Sequence, residues 1–175
     1  MTRQWIISDT HLGHLKIQTF EPSRLAWGPD VPTMTNTLID AWAAVVGPED
    51  TVYHLGDFAM GLPDLMPGYR SRLPGSIILI RGNHDKRPDR WLTSRDRMED
   101  VLEMNLPKLG LVIMRHDPHD FTLEEAARAD YLFHGHLHSN QHRGDTPEAI
   151  SHKARCFSIE VLPTRPAPML LSEVR

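Results

Sequence analysis

The amino-acid sequence predicts an α/β fold, and three observations support this prediction. Five short apolar runs have the length and composition of buried strands. Segments with helical periodicity lie between several of these runs, an alternation that is typical of α/β architectures. Each apolar run is followed at once by polar residues that can bind metal, and in α/β folds ligands gather at the carboxyl ends of strands. The sequence therefore predicts one shared site at these strand ends.

The five predicted strands are short and rich in aliphatic residues, as buried strands are. In chain order they are QWII before SDTH, TVYHL before GD, SIILI before RGNHD, LGLVIM before RH, and DYLF before HGHLH. A sixth strand is predicted at residues 154–162, and the proline-rich end, PTRPAPMLL, is expected to close the domain.

Two helices are predicted with clear boundaries. Apolar residues recur on one face of residues 33–46, and Gly47 followed by proline ends the pattern. Residues 122–129 open with a capping box, in which Thr122 and Glu125 each accept a hydrogen bond from the other's backbone N–H. Weaker helices are predicted at 64–72 and 88–95, and surface loops at 21–32 and 139–153.

The composition restricts the class of protein. A chain of 175 residues is expected to form one domain, residues 1–175. Its net charge of −4 gives no general affinity for nucleic acid, which is a possible but not an indicated partner. The single cysteine, Cys156, excludes a thiolate-rich zinc site and fits a cytoplasmic location. No segment approaches the ~20 apolar residues of a membrane span, and the N-terminal run is not typical of a signal peptide, so no membrane association is expected.

The polar residues that follow the strands form a set of candidate metal ligands. They are Asp9, His11, Asp57, Asn83, His116, His136 and His138. This set of carboxylates, imidazoles and one amide, without sulfur, suits Mn²⁺, Fe²⁺ or Zn²⁺ rather than copper or an iron–sulfur cluster. Seven groups are too many for one tetrahedral ion, and they suit two ions that share a bridging aspartate.

The charges of such a centre favour phosphate chemistry. Two divalent cations bring four positive charges, and Asp9 with Asp57 supplies two negative ones. The remaining positive charge favours a bridging hydroxide and the oxygens of a phosphate, so an acidic protein can attract a phosphate locally. Paired ions about 3.5–4 Å apart activate such a hydroxide, and a histidine beside them can protonate the leaving oxygen.

Two residues outside the ligand set are candidates for substrate binding. His14 lies three residues after His11, close enough to touch a substrate phosphate, although a polar loop position is an equal alternative. Arg143 lies in the loop after GHLH, where it could bind a substrate, although a solvated surface position is favoured.

Three further histidines compete with the candidate ligands. His54 lies within an apolar run and is expected to be a core residue. His119 is a rival to His116, which stands nearer the end of its strand. Residues two apart in an extended chain share a face, so spacing alone does not exclude His134 as a ligand beside His136.

Taken in order, the motifs resemble those of the calcineurin-like metallophosphoesterases. The matching stretches are DTH at 9–11, GD at 56–57, GNHD at 82–85, His116, and GHLH at 135–138. ISDTHLGH, VYHLGDF and the ending FSIEV…RPAP are similar to a small subgroup common in bacteria and their phages, although Cys156 stands where an asparagine is expected. The resemblance implies a central β-sandwich of two mixed sheets, flanked by helices on both outer faces.

The resemblance also implies a role for each matching residue. One metal would be bound by Asp9, His11, Asp57 and His138. The second would be bound by Asp57, Asn83, His116 and His136, with Asp57 as the bridge. His84 would act on the substrate phosphate and protonate the leaving group, and Asp85 would orient His84 from behind. The residues expected to bind substrate are Asn83, His84, His14 and Arg143.

The predicted function is that of a dinuclear-metal phosphoesterase. It would hydrolyse phosphomonoesters or phosphodiesters of small soluble substrates, such as nucleotides or organic phosphates, by attack of a metal-bridging hydroxide. Two divalent transition-metal ions are expected, with manganese preferred and iron, zinc or nickel as alternatives. A nuclease or a protein phosphatase on the same metal site is one alternative, and a non-catalytic binding scaffold with this fold is another. A scaffold tends to lose its ligands, whereas all seven are present here.

Overall fold

The computed structural model describes residues 2–140 and 146–174, which form two β-sheets and the helices around them. The strands are β1 (Gln4–Ile7), β2 (Thr51–His54), β3 (Ser76–Ile80), β4 (Arg97–Glu99), β5 (Leu102–Leu106), β6 (Gly110–Met114), β7 (Tyr131–His134), β8 (Ala154–Cys156) and β9 (Met169–Leu170). The α-helices are α1 (Ile17–Phe20), α2 (Val31–Val45), α3 (Met66–Ser71), α4 (Leu123–Arg128) and α5 (Glu148–Ser151). No helix among these described residues is long and apolar enough to span a membrane.

Both sheets are mixed. The first has the order β4-β3-β2-β1-β9, in which β1 to β4 are parallel and β9 runs antiparallel to β1. The second has the order β5-β6-β7-β8, in which only β5 is antiparallel to its neighbour. Parallel pairing places Ile7 of β1 opposite His54 of β2, and His54 opposite Leu79 of β3. The carboxyl ends of these strands therefore meet at one edge of the sheet, as the sequence predicts.

The side chains of the second sheet alternate between two apolar layers. Val112 and Met114 of β6 and Phe133 of β7 belong to the large core between the sheets. Ile113 and Leu132, on the opposite face, pack in a smaller core with residues of α4 and α5. On the first sheet, α2 packs its apolar face into the large core. Successive residues of a strand point to opposite faces of the sheet, so both faces of the second sheet are buried. The predicted sandwich with helices on both outer faces is confirmed.

The two sheets are joined at the edge where the polar motifs lie. Ser8, just after β1, forms an isolated parallel bridge with Ser158, just after β8, and the Ile159 N–H donates to the Ser8 carbonyl oxygen at 3.0 Å. The Phe157 N–H donates to the carbonyl oxygen of His134, the last residue of β7, at 2.7 Å. These hydrogen bonds hold the ends of β1 and β7 together, so ligands from both sheets can share one site.

Several predicted elements differ from the structure. The helix predicted at 88–95 is a 3₁₀ turn at Pro88–Arg90, and Trp91 is buried against Phe58 with ring centroids 4.4 Å apart. The strand predicted at 154–162 ends at Cys156, because the following residues bridge the two sheets instead of continuing the ladder. The loop predicted at 139–153 contains α5, and the loop predicted at 21–32 contains a 3₁₀ helix at Pro22–Trp27.

The edge strands β4 and β5 have no counterpart among the predicted elements. β4 reads RME and β5 reads LEMNL, so polar residues interrupt both runs. Their side chains are mostly half-buried or exposed, since each strand lies at the edge of its sheet. A strand that buries little apolar surface carries a weak sequence signal.

The capping box at the start of α4 is confirmed. The Glu125 N–H donates to Thr122 Oγ1 at 3.1 Å, and the Thr122 N–H donates to Glu125 Oε2 at 2.8 Å.

We expect Thr122→Ala to lower the free energy of unfolding by about 1 kcal/mol, because an N-cap hydrogen bond is lost. Urea denaturation followed by circular dichroism measures this change. Thr37→Ala, within α2, is the control and should change stability by less than about 0.5 kcal/mol; an equal effect of the two substitutions would contradict the cap assignment.

Candidate metal centre

All seven predicted ligands converge at the joined edge of the two sheets. Asp9 and His11 follow β1, Asp57 follows β2, and Asn83 follows β3. The remaining three follow the second sheet's β6 and β7; they are His116, His136 and His138. Five of the seven have positive φ, between 46° and 67°: Asp9, His11, Asp57, His136 and His138. Left-handed backbone is uncommon for residues other than glycine and clusters at functional sites, where the surrounding structure holds it in place.

One group of ligand atoms comes from Asp9, His11 and His138, and these atoms all lie within 4.8 Å of one another. His11 Nε2 lies 3.2 Å from His138 Nε2, and the two rings are stacked with centroids 5.0 Å apart. Asp9 Oδ1 lies 3.9 Å from His138 Nε2. Asp9 and His11 are almost fully buried, and burial is the main reason that the pKa of His11 lies well below its ordinary value. A neutral imidazole is the form that binds metal.

A second group comes from Asp57, His116 and His136, whose ligand atoms also lie within 4.8 Å of one another. Asn83 joins it through its amide oxygen. Asn83 Oδ1 lies 3.0 Å from His116 Nε2 and 3.1 Å from His136 Nδ1. The candidate ligands thus lie in two groups, one that contains His138 and one that contains His116.

Asp57 lies between the two groups. Its Oδ2 is 3.5 Å from His11 Nε2 on one side and 3.4 Å from His116 Nε2 on the other. Burial raises the pKa of this carboxyl, but the hydrogen bond from His116 and the charges of His116 and His11 outweigh it and hold the pKa well below the usual range. An ionised carboxylate that faces both groups has the position of a bridge.

The hydrogen bonds of His116 test whether a cation fits this centre. His116 Nδ1 lies 2.7 Å from the carbonyl oxygen of Leu55, which can only accept, so Nδ1 carries a proton. Nε2 faces two acceptors, Asp57 Oδ2 and Asn83 Oδ1, so in the absence of a cation a second proton on Nε2 satisfies their lone pairs. Burial lowers the pKa of His116, but Asp57 and Asp9 outweigh it and raise the pKa to about 9. A bound metal ion would satisfy the same converging lone pairs, so the residues fit a divalent cation.

A cleft of about 330 Å³ opens beside the two groups, and His84 lies in its wall. The His84 N–H donates to Asp57 Oδ1 at 2.9 Å, and the His84 ring meets the His11 ring edge-on with centroids 5.5 Å apart. His14 and Glu21 line the same cleft. The structure therefore brings His84 and His14 into the wall of the cleft beside the two groups.

Comparison with known proteins identifies the family. The statistical model of the calcineurin-like phosphoesterase superfamily domain matches residues 3–150, a span that contains every candidate ligand described above. The chain belongs to the calcineurin-like phosphoesterase superfamily.

Relatives of this superfamily member come from an archaeon and from phages of mycobacteria. An uncharacterized protein of Methanocaldococcus jannaschii is 31% identical over 174 residues, which cover 97% of this chain and 88% of the relative. The Gene 66 protein of Mycobacterium phage L5 is 32% identical over 167 residues, which cover 79% of each chain. A solved structure of a protein of unknown function from Aquifex aeolicus matches 91% of both chains with a TM-score of 0.64 and 22% identity, which shows the shared fold.

Sequence reasoning missed the pair that supports His138 in this phosphoesterase-superfamily site. His138 Nδ1 lies 3.0 Å from Glu160 Oε1, and Arg24 Nε donates to the same oxygen at 2.7 Å. The guanidinium of Arg24 also donates to the backbone carbonyls of Asp9 and Thr10. Arg24 and Glu160 are almost completely buried, so this ion pair links two candidate ligands inside the protein. The signal available in the sequence was a single acidic residue within the apolar stretch FSIEVL.

Two further residues support candidate ligands and were also missed. Asp117 Oδ2 lies 3.3 Å from His136 Nε2, on the side of the ring away from Asn83. Ser158 Oγ donates to Asp9 Oδ2 at 2.6 Å. Carboxylates and hydroxyls in such positions orient metal ligands and raise the basicity of a histidine.

The prediction that Asp85 orients the His84 ring needs correction. Asp85 Oδ2 accepts from the backbone N–H groups of Asp57 at 2.8 Å and Gly82 at 2.9 Å, and Oδ1 accepts from Phe58 N–H at 2.9 Å. Burial raises the pKa of Asp85, while these hydrogen bonds act to lower it. Asp85 therefore fixes the loop that carries Asp57, and it influences its neighbour His84 through the backbone.

The structure places the competing histidines away from the ligand positions. His54 is fully buried in the core and contacts Thr10 Oγ1 at 2.9 Å, and burial lowers its pKa to about 3. His119 pairs with Asp117 at 2.7 Å, and His134 is buried with Nδ1 2.9 Å from the Gly135 carbonyl oxygen. The predicted substrate contact Arg143 lies outside the described residues.

Gly135 allows the second sheet to approach Asp9. A Cβ atom on Gly135 would lie 1.9 Å from Ser8 Oγ and 2.6 Å from Asp9 Oδ2, closer than any side chain permits. The next N–H, that of His136, donates to both carboxylate oxygens of Asp9 at 3.0 and 3.1 Å. The glycine is therefore required by this close contact.

We expect Glu160→Gln to weaken binding at the group that contains His138. Glutamine keeps the shape of the side chain but removes the charge that makes the His138 ring more basic, and such supporting carboxylates are worth about 10–100-fold in metal affinity. Isothermal titration with Mn²⁺ should show one weakened site and one unchanged site. Glu124→Gln, an exposed position on α4, is the control. Equal weakening of both sites, or no weakening, would contradict this role.

Proposed function

We propose that the chain is a metal-dependent phosphoesterase whose site holds two divalent cations. The observation that carries this proposal is the position of Asp57, whose Oδ2 faces His11 on one side and His116 on the other. One cation would be held by Asp9, His11, Asp57 and His138, and the other by Asp57, Asn83, His116 and His136. Membership of the calcineurin-like phosphoesterase superfamily supports a hydrolytic role.

The proposed metals are transition ions, with Mn²⁺ preferred over iron, zinc and nickel. Oxygen and imidazole donors without sulfur support this choice. When bound, the two cations supply Lewis acidity at a phosphoryl oxygen and lower the pKa of a water that acts as the nucleophile. No residue of the chain is proposed to become covalently attached to the substrate.

His84 is the proposed proton donor. Its backbone is fixed by Asp57, its ring lies in the wall of the cleft, and it is not one of the proposed ligands. A histidine in this position can hold a proton for the leaving oxygen and contact the phosphate. Asn83 and His14, which line the cleft, would also contact the substrate.

The proposed substrates are small phosphate esters, including nucleotides and organic mono- or diesters. The cleft is lined by side chains of this one chain, and its volume of about 330 Å³ supports a small ligand. The negative net charge gives no support for a nucleic-acid surface. The single cysteine supports a reducing compartment such as the cytoplasm.

One assay tests the reaction class and the ester type together. Hydrolysis of p-nitrophenyl phosphate and of bis(p-nitrophenyl) phosphate is measured with Mn²⁺, Ni²⁺, Zn²⁺ or a chelator. We expect turnover of at least one ester with Mn²⁺, loss of turnover with the chelator, and recovery when Mn²⁺ is added back. Absence of turnover with every metal, or turnover that survives chelation, would overturn the proposal.

A further inference from the structure

A second cavity, of about 210 Å³, adjoins the metal cleft. It lies between the segment after Asp57 and the 3₁₀ turn Pro88–Arg90. Met60 and His84 line both the cavity and the cleft. The cavity and the cleft are therefore direct neighbours.

The cavity is cationic, although the chain as a whole has a net charge of −4. Lys86, Arg87 and Arg90 line it, and no carboxylate does so among the described residues. The metal cleft, in contrast, is lined by imidazoles and carboxylates, and no lysine or arginine of the described chain lines it. Arg87 is paired with Asp89 at 3.2 Å, and the reacting phosphate would be held by the metals, so Lys86 and Arg90 remain for another negative group.

One part of the cavity wall is apolar and held in place. Trp91 is only 4% exposed and stacks on Phe58 with an interplanar angle of 10°. Met60 and Met66 complete this wall, and methionine side chains adapt well to flat ligands. Phe58 follows Asp57 directly, so the stacked rings of Phe58 and Trp91 connect the wall of the cavity to the proposed metal bridge. A wall of this kind favours a ring.

His84 determines which part of a substrate would reach the cavity. It is the proposed donor of the proton to the leaving oxygen, and it lines both spaces. In the hydrolysis, a water oxygen forms a bond to phosphorus and the bond from phosphorus to the leaving oxygen breaks. The leaving oxygen takes the proton from His84, so the leaving group lies beside a side chain that also lines the cavity.

We propose that this cavity binds the leaving group of the substrate, and that this group combines an apolar ring with a second anionic group. The preferred substrate class is thus a nucleotide-like compound in which the reacting phosphate is joined to a part that carries a ring and a further phosphate. The orientation of the ligand rests on the proposed function, whereas the pairing of ring and charge rests on the cavity alone.

Three phosphonates, in which the bond that the enzyme would cleave is replaced by a stable carbon–phosphorus bond, test whether the cavity prefers a ring together with a charge. The test measures binding alone. Phenylphosphonate carries the ring, methylenediphosphonate carries the second charge, and adenosine 5′-(α,β-methylene)diphosphate carries both. Isothermal titration into the zinc-loaded protein should give the nucleotide analogue a Kd at least about tenfold below that of either fragment. Similar Kd values for all three compounds would overturn the proposal.

Two substitutions locate the binding. Arg90→Gln should raise the Kd of the nucleotide analogue about tenfold, and Trp91→Phe should remove any tryptophan fluorescence change caused by the analogue. Arg95→Gln is the matched control. Arg95 donates a hydrogen bond to the Pro48 carbonyl oxygen, and Pro48 precedes β2, at the opposite end of the strands from the site. Equal effects of the two arginine substitutions, or a fluorescence change that persists without Trp91, would place the ligand elsewhere and overturn the proposal.

The outcome for the cavity can be separated from the outcome for the proposed function. If the analogue binds as expected but neither chromogenic ester is hydrolysed, the reaction class is wrong and the cavity assignment stands. If the esters are hydrolysed in a metal-dependent manner but the three phosphonates bind alike, the reaction class stands and the cavity assignment is wrong.

Discussion

Replacing Asp57 with alanine is expected to abolish binding of both cations and to lower kcat/KM by more than about 10³-fold. The reason is its position, since Oδ2 lies within 3.5 Å of His11 Nε2 and 3.4 Å of His116 Nε2. Loss of this carboxylate removes a ligand from each cation and leaves converging imidazoles without the charge that offsets two dications. Several kcal/mol of transition-state stabilisation, which the paired metals supply, correspond to about three or more powers of ten in rate.

Metal content by elemental analysis and titration with Mn²⁺ measure this effect. Asp40→Ala, an exposed position on α2, is the control and should retain two equivalents and full activity. Asp57 Oδ1 also accepts a hydrogen bond from the His84 N–H, so Asp57→Asn, which keeps the size of the side chain, serves as the second variant. If either variant retains one tightly bound equivalent in a folded protein, Asp57 is not the bridge.

Replacing His84 with asparagine is expected to lower kcat by about 10²–10⁴-fold while both metals stay bound. This is the range by which a positioned general acid accelerates a reaction. The loss should be smaller for p-nitrophenyl esters than for alkyl esters, because p-nitrophenolate leaves readily without a proton. A residue that merely supported the fold would slow both kinds of ester alike.

Parallel measurements of metal content and rate decide the role of His84. His152→Asn is the matched control, since His152 is exposed directly after α5 and belongs to neither ligand group. Loss of metal from His84→Asn would indicate that His84 binds a metal or supports a residue that does. An equal rate loss for p-nitrophenyl and alkyl esters would remove its role as proton donor.

The sequence predicted those elements whose signal is local. β1, β2, β3, β6 and β7 are apolar runs that stop abruptly at polar residues, and a buried strand needs little more than this to be recognised. The capping box of Thr122 and Glu125 spans four residues and was confirmed. The parallel strand ends also allowed the convergence of the seven ligands to be predicted, because strands that pair in parallel finish at the same edge.

The elements that sequence reasoning missed depend on distant partners. Glu160 and Arg24 are 136 residues apart, and no local pattern shows that the buried guanidinium meets this carboxylate. The family resemblance implied that Asp85 orients the ring of His84, whereas its oxygens bind the backbone of a loop 27 and 28 residues earlier. The edge strands β4 and β5 bury too little apolar surface to stand out from a loop.

The sequence by itself determined the class of fold, the residues able to bind metal and their place after the strands, because strand formation and ligand chemistry depend on neighbouring residues. Only the tertiary structure decided that Asp85 binds the backbone around Asp57, that Glu160 and Arg24 support His138, and that a cationic cavity adjoins the cleft. These features are distances between atoms far apart in the chain. The support of His138 by Glu160 and Arg24 also depends on how the two sheets meet at Ser8 and Ser158, and that meeting is a property of the packed protein.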